Sequence, residues 1–349
     1  MPTISKNPSL KQIAIECNLS VAAVSMALRG HQRVSKTTIK TVKAAAKRIG
    51  YRTNPLIRSV MSLVRFSQFS KKNWITIAFI WLEDTPESVA ESNFLTKLIQ
   101  SLIQRANSLG LNVEQFYLNN DGMTVQRLQK ILIARGISGI IFSPSRQSSV
   151  VKLPFNWVKF TTVIIGHTPW EPEFNRVGHY QYSGMRRTLQ NVFKAGYKKP
   201  ALIIFENSNE QTLKSHESAF LAHYPDSKNG LKSIFHIAGD SDQLRFKKWL
   251  KVLKPDSLIS TSISTLNTHS ECLKLFLTYP HACLDVFSGM NLAGITGIIQ
   301  DFNAVGVNAV DLMITQLLHN DLGVPVRPKV VMLAEGEWYY GKSLPKLNH

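Results

Sequence analysis

Apolar residues near the start of the chain recur with the spacing of three short helices. Over 10–17 they fall at i, i+3, i+4 and i+7, which places them on one helical face, and Ser9 can cap that helix. A second helix is predicted over 21–28 with Ser20 as its N-cap, and a third over 35–50 begins at a serine and ends at a glycine. Two short helices joined by a three-residue turn and supported by a third predict a helix-turn-helix, whose second helix enters a major groove of DNA.

From Trp74 onward, short apolar runs alternate with amphipathic stretches. The predicted strands cover 75–82, 113–117, 139–142, 163–165, 201–205, 233–237, 257–259, 283–287 and 329–333. The predicted helices cover 95–109, 124–135, 185–195, 213–223, 243–253, 270–277 and 304–318. Alternation of strand and helix predicts parallel sheets covered on both faces, and about 275 residues exceed what one sheet needs. The predicted fold class is therefore α/β, with two lobes after a helix-turn-helix head.

The charge of the chain is concentrated in its first fifth. The net charge is +18, of which residues 1–72 carry +13 and residues 73–349 carry +5. A module of this charge is expected to bind a polyanion, with nucleic acid the first candidate and an anionic membrane surface the second. The alternative is a solvated basic tail. The helical periodicity of the segment argues against this alternative.

Residues 9–60 read SLKQIAIECNLSVAAVSMALRGHQRVSKTTIKTVKAAAKRIGYRTNPLIRSV and contain the patterns L-x-x-I-A, V-S-x-x-T and G-Y-x-x-N. The segment resembles the DNA-binding head of the LacI/GalR family of transcriptional regulators. The resemblance implies that Val21, Ala22 and Met26 contact bases. The residues that it places at the DNA backbone are Ser20, Ser25, Ser35, Thr38, Tyr51 and Asn54. Arg29 and Arg33 are added to the predicted interface because of their charge and position.

Met26 departs from the family, which usually has an arginine there that can make a bidentate contact with guanine. Methionine donates no hydrogen bond but can contact the methyl group of thymine. We therefore expect an altered operator sequence rather than loss of DNA binding, with phosphate contacts supplying most of the affinity. The alternative is that Met26 is a core residue.

Residues 54–65 follow the head, with Asn54 placed to cap a helix and Pro55 in its first turn. The resemblance implies a hinge helix that folds on DNA and inserts an apolar side chain into the minor groove. Ile57 and Val60 are the hinge residues expected at the DNA, Val60 standing where the family usually has leucine. The alternative is a plain linker. The predicted domains are a head at 1–54, a hinge and linker at 55–73, and an effector-binding and dimerisation domain at 74–349.

Two segments of the large domain also resemble this family. They are VGHYQYSGMRRTLQNVFKAGYKKPALI, at 177–203, and GIIQDFNAVGVNAVDLMITQLL, at 297–318. The resemblance implies a two-lobed fold like that of the type I periplasmic sugar-binding proteins. It implies that the chain crosses between the lobes near 180, 295 and 330.

Ligands of open α/β lobes bind at the carboxyl ends of the strands, here between the two lobes. Phe94 or Trp81 is a candidate to stack on a sugar ring. The full set of candidate effector contacts is Trp81, Ser92, Asn93, Phe94, Ser143, His167, His216 and Asn291. His216 and Tyr180 stand where many relatives have arginine and aspartate, so the sequence favours a different sugar or a site that has drifted. The alternative for each candidate is an ordinary loop or core residue.

The sequence does not support the assignment of an enzyme or of a membrane protein. Residues 336–343 match the phosphate-loop pattern GxxxxGK[ST], but Trp338, Tyr339 and Tyr340 are too bulky for a loop whose backbone wraps phosphates. Three cysteines without CxxC and histidines without HExxH predict neither a disulfide framework nor a metal site, and we expect no catalytic residues and no cofactor. With no signal peptide and no run of apolar residues that could span a membrane, we expect a cytoplasmic protein.

These patterns together predict a sequence-specific DNA-binding transcriptional regulator, in the first instance a repressor. Its expected partners are double-stranded operator DNA, a second copy of the chain and a small-molecule effector, for which a sugar is the favoured class. A homodimer would place two recognition helices on successive major grooves of an imperfect palindrome. The alternative is a small-molecule-binding protein or enzyme with an incidental basic head.

Met26→Arg is expected to change which operator the protein prefers, because arginine would add a bidentate contact to guanine worth about 1–3 kcal/mol of discrimination. Selection of duplexes from a random library by the native protein and by the variant measures the preference. An unchanged preferred sequence would show that Met26 does not face a base.

Overall fold

The computed structural model separates the chain into two compact units, Met1–Lys71 and Lys72–His349. The residues that it describes are 10–28, 34–49, 75–118, 120, 122–239, 242–262, 266, 269–286, 294–333 and 336–347. Among them, no helix is long and apolar enough to cross a membrane.

The described residues of the first unit form three helices, as the sequence predicts. They are α1 (Leu10–Glu16), α2 (Val21–Leu28) and α3 (Lys36–Arg48). Asn18 adopts a left-handed φ of 51° in the turn between α1 and α2, a conformation that asparagine tolerates better than most residues. The three helices meet in a small core, where small side chains allow close crossing; its buried members are Ile13, Ala14, Val24, Ala27, Val42, Ala45 and Ala46.

The second unit alternates strands and helices. Its strands are β1 (Ile75–Trp81), β2 (Leu111–Tyr117), β3 (Gly139–Phe142), β4 (Thr161–Ile165), β5 (Asn175–His179), β6 (Pro200–Phe205), β7 (Ile234–Ile237), β8 (Ser257–Ser260), β9 (His281–Val286), β10 (Thr296–Ile299), β11 (Val330–Leu333) and β12 (Trp338–Tyr339). Its helices are α4 (Pro86–Glu91), α5 (Asn93–Ser108), α6 (Val125–Ala134), α7 (Gln181–Lys194), α8 (Glu206–Gln211), α9 (Ser215–His223), α10 (Ser227–Lys232), α11 (Gln243–Leu253), α12 (Ser270–Leu277) and α13 (Phe302–His319). A 3-10 turn covers Trp157–Lys159.

Two six-stranded sheets form the second unit, and the prediction of two α/β lobes is confirmed. The first sheet has the order β11-β5-β4-β3-β1-β2 and is parallel throughout. The second has the order β12-β10-β9-β8-β6-β7 and is parallel except for the short antiparallel pairing of β10 with β12. Each sheet has buried apolar clusters on both faces, which is the reason that its inner strands are continuous apolar runs.

The chain passes between the sheets at three places in the part that the structure describes. It leaves the first sheet at the end of β5 and enters α7, whose apolar side chains pack on the second sheet. It returns between β10 and α13, since α13 packs on the first sheet. It crosses again between β11 and β12. The carboxyl ends of β5 and β10 therefore meet at the junction of the two lobes.

The sequence pattern does not predict several short elements. The strand β5 has the sequence NRVGH, and its polar residues are buried; Asn175, for example, donates from its side chain to Gln316 at 2.7 Å. The helix predicted over 213–223 begins at Ser215 instead, because Leu213 and Lys214 adopt left-handed φ values of 51° and 57°. The short elements α4, α8, α10, β10 and β12 were also not predicted, since six residues or fewer carry little periodicity.

Gly306 lets α13 lie directly against α5. A Cβ atom at this position would stand 2.6 Å from the backbone oxygen of Leu98 and 2.3 Å from Oγ of Ser101. Because the Leu98 oxygen belongs to the backbone of α5, a side chain at position 306 would push the two helices apart.

Gly306→Ala is expected to lower the free energy of unfolding by about 1–3 kcal/mol, the usual cost of overpacking a core. Gly239→Ala is the matched control, since its Cβ would meet nothing within 4 Å. Urea unfolding of the full chain measures both. Equal stability of the two variants would contradict the close packing of α5 and α13.

Candidate functional site

Helix α2 buries one face and exposes another. Val24 and Ala27 are fully buried in the core of the head, whereas Val21, at the start of the helix, is 44% exposed. Met26 is half-buried and does not belong to the set of side chains that form this core or pack against it. The exposed face of α2 therefore begins with an apolar side chain, that of Val21, which is available for contact with another molecule.

Serine hydroxyls cap both helices that are expected at DNA. Ser20 accepts a hydrogen bond from the backbone N–H of Ala23 at 3.1 Å, which holds the first turn of α2. Ser35 accepts from the backbone N–H of Thr38 at 3.1 Å, and its hydroxyl lies 2.8 Å from those of Thr37 and Thr38. Uncompensated N–H groups and hydroxyls at a helix start are suited to bind the oxygens of an anion.

The described part of the head has a strongly basic surface. Helix α3 exposes five basic side chains, Lys36, Lys40, Lys43, Lys47 and Arg48. Arg48 pairs with Glu16 of α1, the single acidic residue in 1–72. No other ion pair forms within the described residues of the head, so the lysines of α3 provide positive charge for a polyanion.

Some predicted contacts are not characterised by the structure. Ala22 and Ser25 lie in α2. Those that fall outside the described residues are Arg29, Arg33, Tyr51, Asn54, Ile57, Val60 and Asn291.

Trp81 and Ser143 lie in the core of the first lobe, where their side chains already have partners. Trp81 is fully buried; its indole N–H donates to Oε1 of Gln115 at 2.9 Å, and its ring stacks on Tyr117 with centroids 6.0 Å apart. Ser143 is also fully buried, and its hydroxyl accepts from the backbone N–H of Leu82 at 3.2 Å. The end of a strand is not by itself a sign of a cleft residue, because an inner strand can remain buried to its last position.

The start of α5 lies at a cavity near the junction of the lobes. Ser92 is the N-cap of α5, Asn93 is exposed, and Phe94 packs on Phe302 with ring centroids 5.0 Å apart. Phe94 lines a cavity of about 290 Å³. The other lining residues are Lys97, Ile299, Gln300, Asp301, Phe302, Asn303, Gly336 and Glu337. Sequence reasoning missed the segment 299–303, because the short strand β10 that precedes it was not predicted.

His167 and His216 belong to different lobes, and His167 contributes to lowering the pKa of His216. His216 is buried in α9 of the second lobe, and its Nε2 lies 2.8 Å from Oε1 of Gln181. Desolvation lowers the pKa of His216 to about 3, and the nearby imidazole of His167 contributes. Desolvation likewise lowers the pKa of His167 to about 4, with Arg176 adding to the effect. Both imidazoles are neutral at physiological pH.

Six buried polar atoms without a hydrogen-bond partner come from segments at the carboxyl ends of the strands. They are Oδ2 of Asp84, Nε2 of His167, Nε2 of His179, Oδ1 of Asn209, Nδ1 of His216 and Oγ1 of Thr261. Three come from each lobe, and the loops meet where Gln211 donates to the backbone oxygen of Arg146. Since buried polar groups are normally satisfied, this set is suited to a polar ligand or to water between the lobes.

The phosphate-loop pattern at 336–343 is part of the second sheet. Trp338–Tyr339 pairs with β10, and the hydroxyl of Ser343 accepts from the N–H of Thr296 at 2.8 Å and donates to the carbonyl of His281 at 2.7 Å. The segment therefore pairs with the second sheet and hydrogen-bonds to it, instead of forming a loop whose backbone could wrap phosphates. Among the described residues, no three His, Cys, Asp or Glu side chains are grouped as metal ligands.

Comparison with known proteins supports the prediction that the head is a lacI-family DNA-binding domain. Residues 9–54 match the family model described as bacterial regulatory proteins, lacI family. No curated protein matches the chain.

Solved structures show the same fold at low identity. A "transcriptional regulator CelR-cellobiose complex" is 15% identical, with a TM-score of 0.55, and the match covers 96% of this chain and 99% of that one. A "transcription regulator like protein" from Staphylococcus haemolyticus is 14% identical over 79% of this chain and 100% of that one, with a TM-score of 0.57. The lac repressor dimer bound to operator and the anti-inducer ONPF is 15% identical over 97% of this chain and 100% of that one, with a TM-score of 0.52.

Trp81→Ala is expected to lower the free energy of unfolding by about 3–5 kcal/mol, because it removes a fully buried indole from the core. Trp81→Phe keeps a ring there and should cost much less. Denaturant unfolding of the full chain measures both. A change below about 1 kcal/mol for Trp81→Ala would contradict the core role of this residue.

Proposed function

We propose that this LacI/GalR-type regulator, whose residues 9–54 are a lacI-family domain, represses transcription by binding an operator whose affinity an effector controls. The observation that carries the proposal is the geometry of α2. Its buried face is fixed by Val24 and Ala27, and its opposite face, with Val21 at the start, is left to solvent on a basic head.

In the proposed complex, α2 lies in the major groove, and Val21, Ala22 and Met26 face the bases. These side chains donate no hydrogen bonds, so apolar contact with thymine methyl groups would provide their share of the specificity. The preferred half-site should therefore contain thymine where relatives with arginine at the position of Met26 contact guanine.

The contacts with the DNA backbone come from helix starts and basic side chains. Ser20, Ser35 and Thr38, at the starts of α2 and α3, are placed to contact phosphates, and Ser25 is proposed with them. Outside the described residues, the proposed backbone contacts are Arg29, Arg33, Tyr51 and Asn54, and the proposed hinge contacts in the minor groove are Ile57 and Val60. The lysines of α3 add sequence-independent attraction, so the affinity should fall steeply with salt.

The effector site is proposed between the two lobes of the second unit. Its polar surface includes His167 and His216, and Ser92, Asn93 and Phe94 lie at the start of α5; Asn291 is proposed with them from outside the described residues. The six unsatisfied polar atoms favour a ligand rich in hydrogen-bonding groups, of which a sugar is one class. The cellobiose complex among the structural neighbours supports that class. Binding would change the closure of the lobes and hence the affinity for DNA.

A homodimer is proposed as the unit that binds DNA. Two copies of the head related by a two-fold axis would contact half-sites one helical turn apart, so the operator should be an imperfect palindrome. The operator complex of the lac repressor dimer among the structural neighbours supports this arrangement.

Selection of genomic fragments by the purified full chain tests the proposal, and it should enrich one palindromic sequence. Val21→Asp should abolish the enrichment, because it places a charge on the exposed face of α2. Ile15→Asp, on α1, is the matched control, since Ile15 is 74% exposed and the change in net charge is the same. Both variants lose similar nonspecific affinity, but only the first should lose sequence preference.

Failure of the native chain to enrich any sequence would refute the proposed function. Equal loss of sequence preference in the two variants would refute the orientation of α2.

A further inference from the structure

Three imidazoles are buried where the two lobes meet, and each has one ring nitrogen without a partner. His167 follows β4, His179 ends β5, and His216 lies in α9 of the second lobe. Their unpartnered atoms are Nε2 of His167, Nε2 of His179 and Nδ1 of His216. The other nitrogen of His216 faces Gln181, at the start of the helix by which the chain enters the second lobe.

Most of the charged groups that surround His167 and His216 in the described part of the chain already have other partners. His167 lies close over Gly178, where even a Cβ atom would stand 2.9 Å from its Nε2. Two groups of β5 act on His167, namely His179 and Arg176, and Arg176 already pairs with Glu173 at 2.6 Å. On α9, Glu217 accepts from the side chain of Asn209 at 2.5 Å and lies 3.6 Å from His236. Asp301 accepts from the N–H of Ala304 and also acts on His179, so a charge on His179 would have a carboxylate beside it, and His179 is not part of the proposal. Asp84 pairs with Arg146.

We propose that the lobes of this protein close only when His167 and His216 are uncharged, so that protons compete with closure and open the cleft in mild acid. The proposal rests on the proposed function, since it assigns a regulation to the proposed effector cleft. An imidazolium has two N–H donors, and in the closed arrangement its charge would be buried, with no partner at Nε2 of His167 or at Nδ1 of His216. Opening returns both rings to water, where the charge is solvated.

The direction of the pH effect follows from the ordinary value of histidine. Burial holds the pKa of His167 at about 4 and that of His216 at about 3, both below 6.5. The closed state is therefore unaffected by these groups well above pH 6.5 and loses stability as the pH falls below it. For each imidazole, the ratio of closed to open molecules should fall about tenfold per pH unit until the pKa of the closed state is reached.

Energy transfer between dyes on the two lobes tests the proposal in the full chain. Ile133 on α6 and Val252 on α11 are exposed at 41% and 78%, and non-natural amino acids there leave the native cysteines unlabelled. Between pH 8 and pH 5 the transfer efficiency should fall in the native sequence while far-UV circular dichroism stays constant. The double variant His167→Gln with His216→Gln should show no such fall, and each single variant should show a shallower one.

His223→Gln is the matched control, because His223 is exposed on the same helix as His216. It should follow the native chain. An efficiency that does not change with pH in the native chain would overturn the proposal, as would a fall that persists in a folded double variant or that only accompanies loss of helix. No DNA and no effector are present, so this outcome is independent of whether the chain selects an operator.

Discussion

The burial of one face of α2 is the constraint on which the interpretation of the head depends. Val24 and Ala27 have no exposed surface, because α1 and α3 cover them. A helix of eight residues that commits these positions to the core has its remaining face in solvent, with Val21 at its start. The small core of a unit of this size tolerates little change, since alanines at 14, 27, 45 and 46 permit the close approach of the helices. The same packing that makes the head stable thus decides which side chains can meet DNA.

In the second unit, the topology of the two sheets creates the candidate site at the junction of the lobes. Parallel sheets place all carboxyl strand ends on one edge, and the passages after β5, β10 and β11 bring the edges of the two sheets together. Polar groups gather there that would be costly inside a single lobe, among them His167, His179 and His216. The proposed coupling of ligand binding to movement would use such groups, because their hydrogen bonding would differ between closed and open lobes.

Much of the fold could be predicted from the sequence. The head carries clear periodicity and serine caps, and β1, β3 and β6 are apolar runs whose order already indicates parallel sheets. The elements that were not predicted are short or polar. Strand β5 buries Asn175, whose partner Gln316 is distant in the chain, and Arg176, which is satisfied by Thr168 and Glu173 of the preceding loop. The site was less predictable for the same reason. Trp81 resembles a ligand-stacking residue in sequence, and only the register of β1 on β2 shows that Gln115 and Tyr117 already occupy its polar and apolar surfaces. Asp301 and Phe302 were not predicted as site residues because the four-residue strand β10 that positions them carries too little periodicity.

The central claim is that α2 occupies a major groove. Dimethyl sulfate protection of an operator duplex bound to the full chain tests it most directly, because the reagent methylates N7 of guanine in that groove. Protected guanines in two clusters about 10 base pairs apart, one in each half-site, are the predicted result. Bound duplex in which every major-groove N7 reacts as in free DNA would contradict the account.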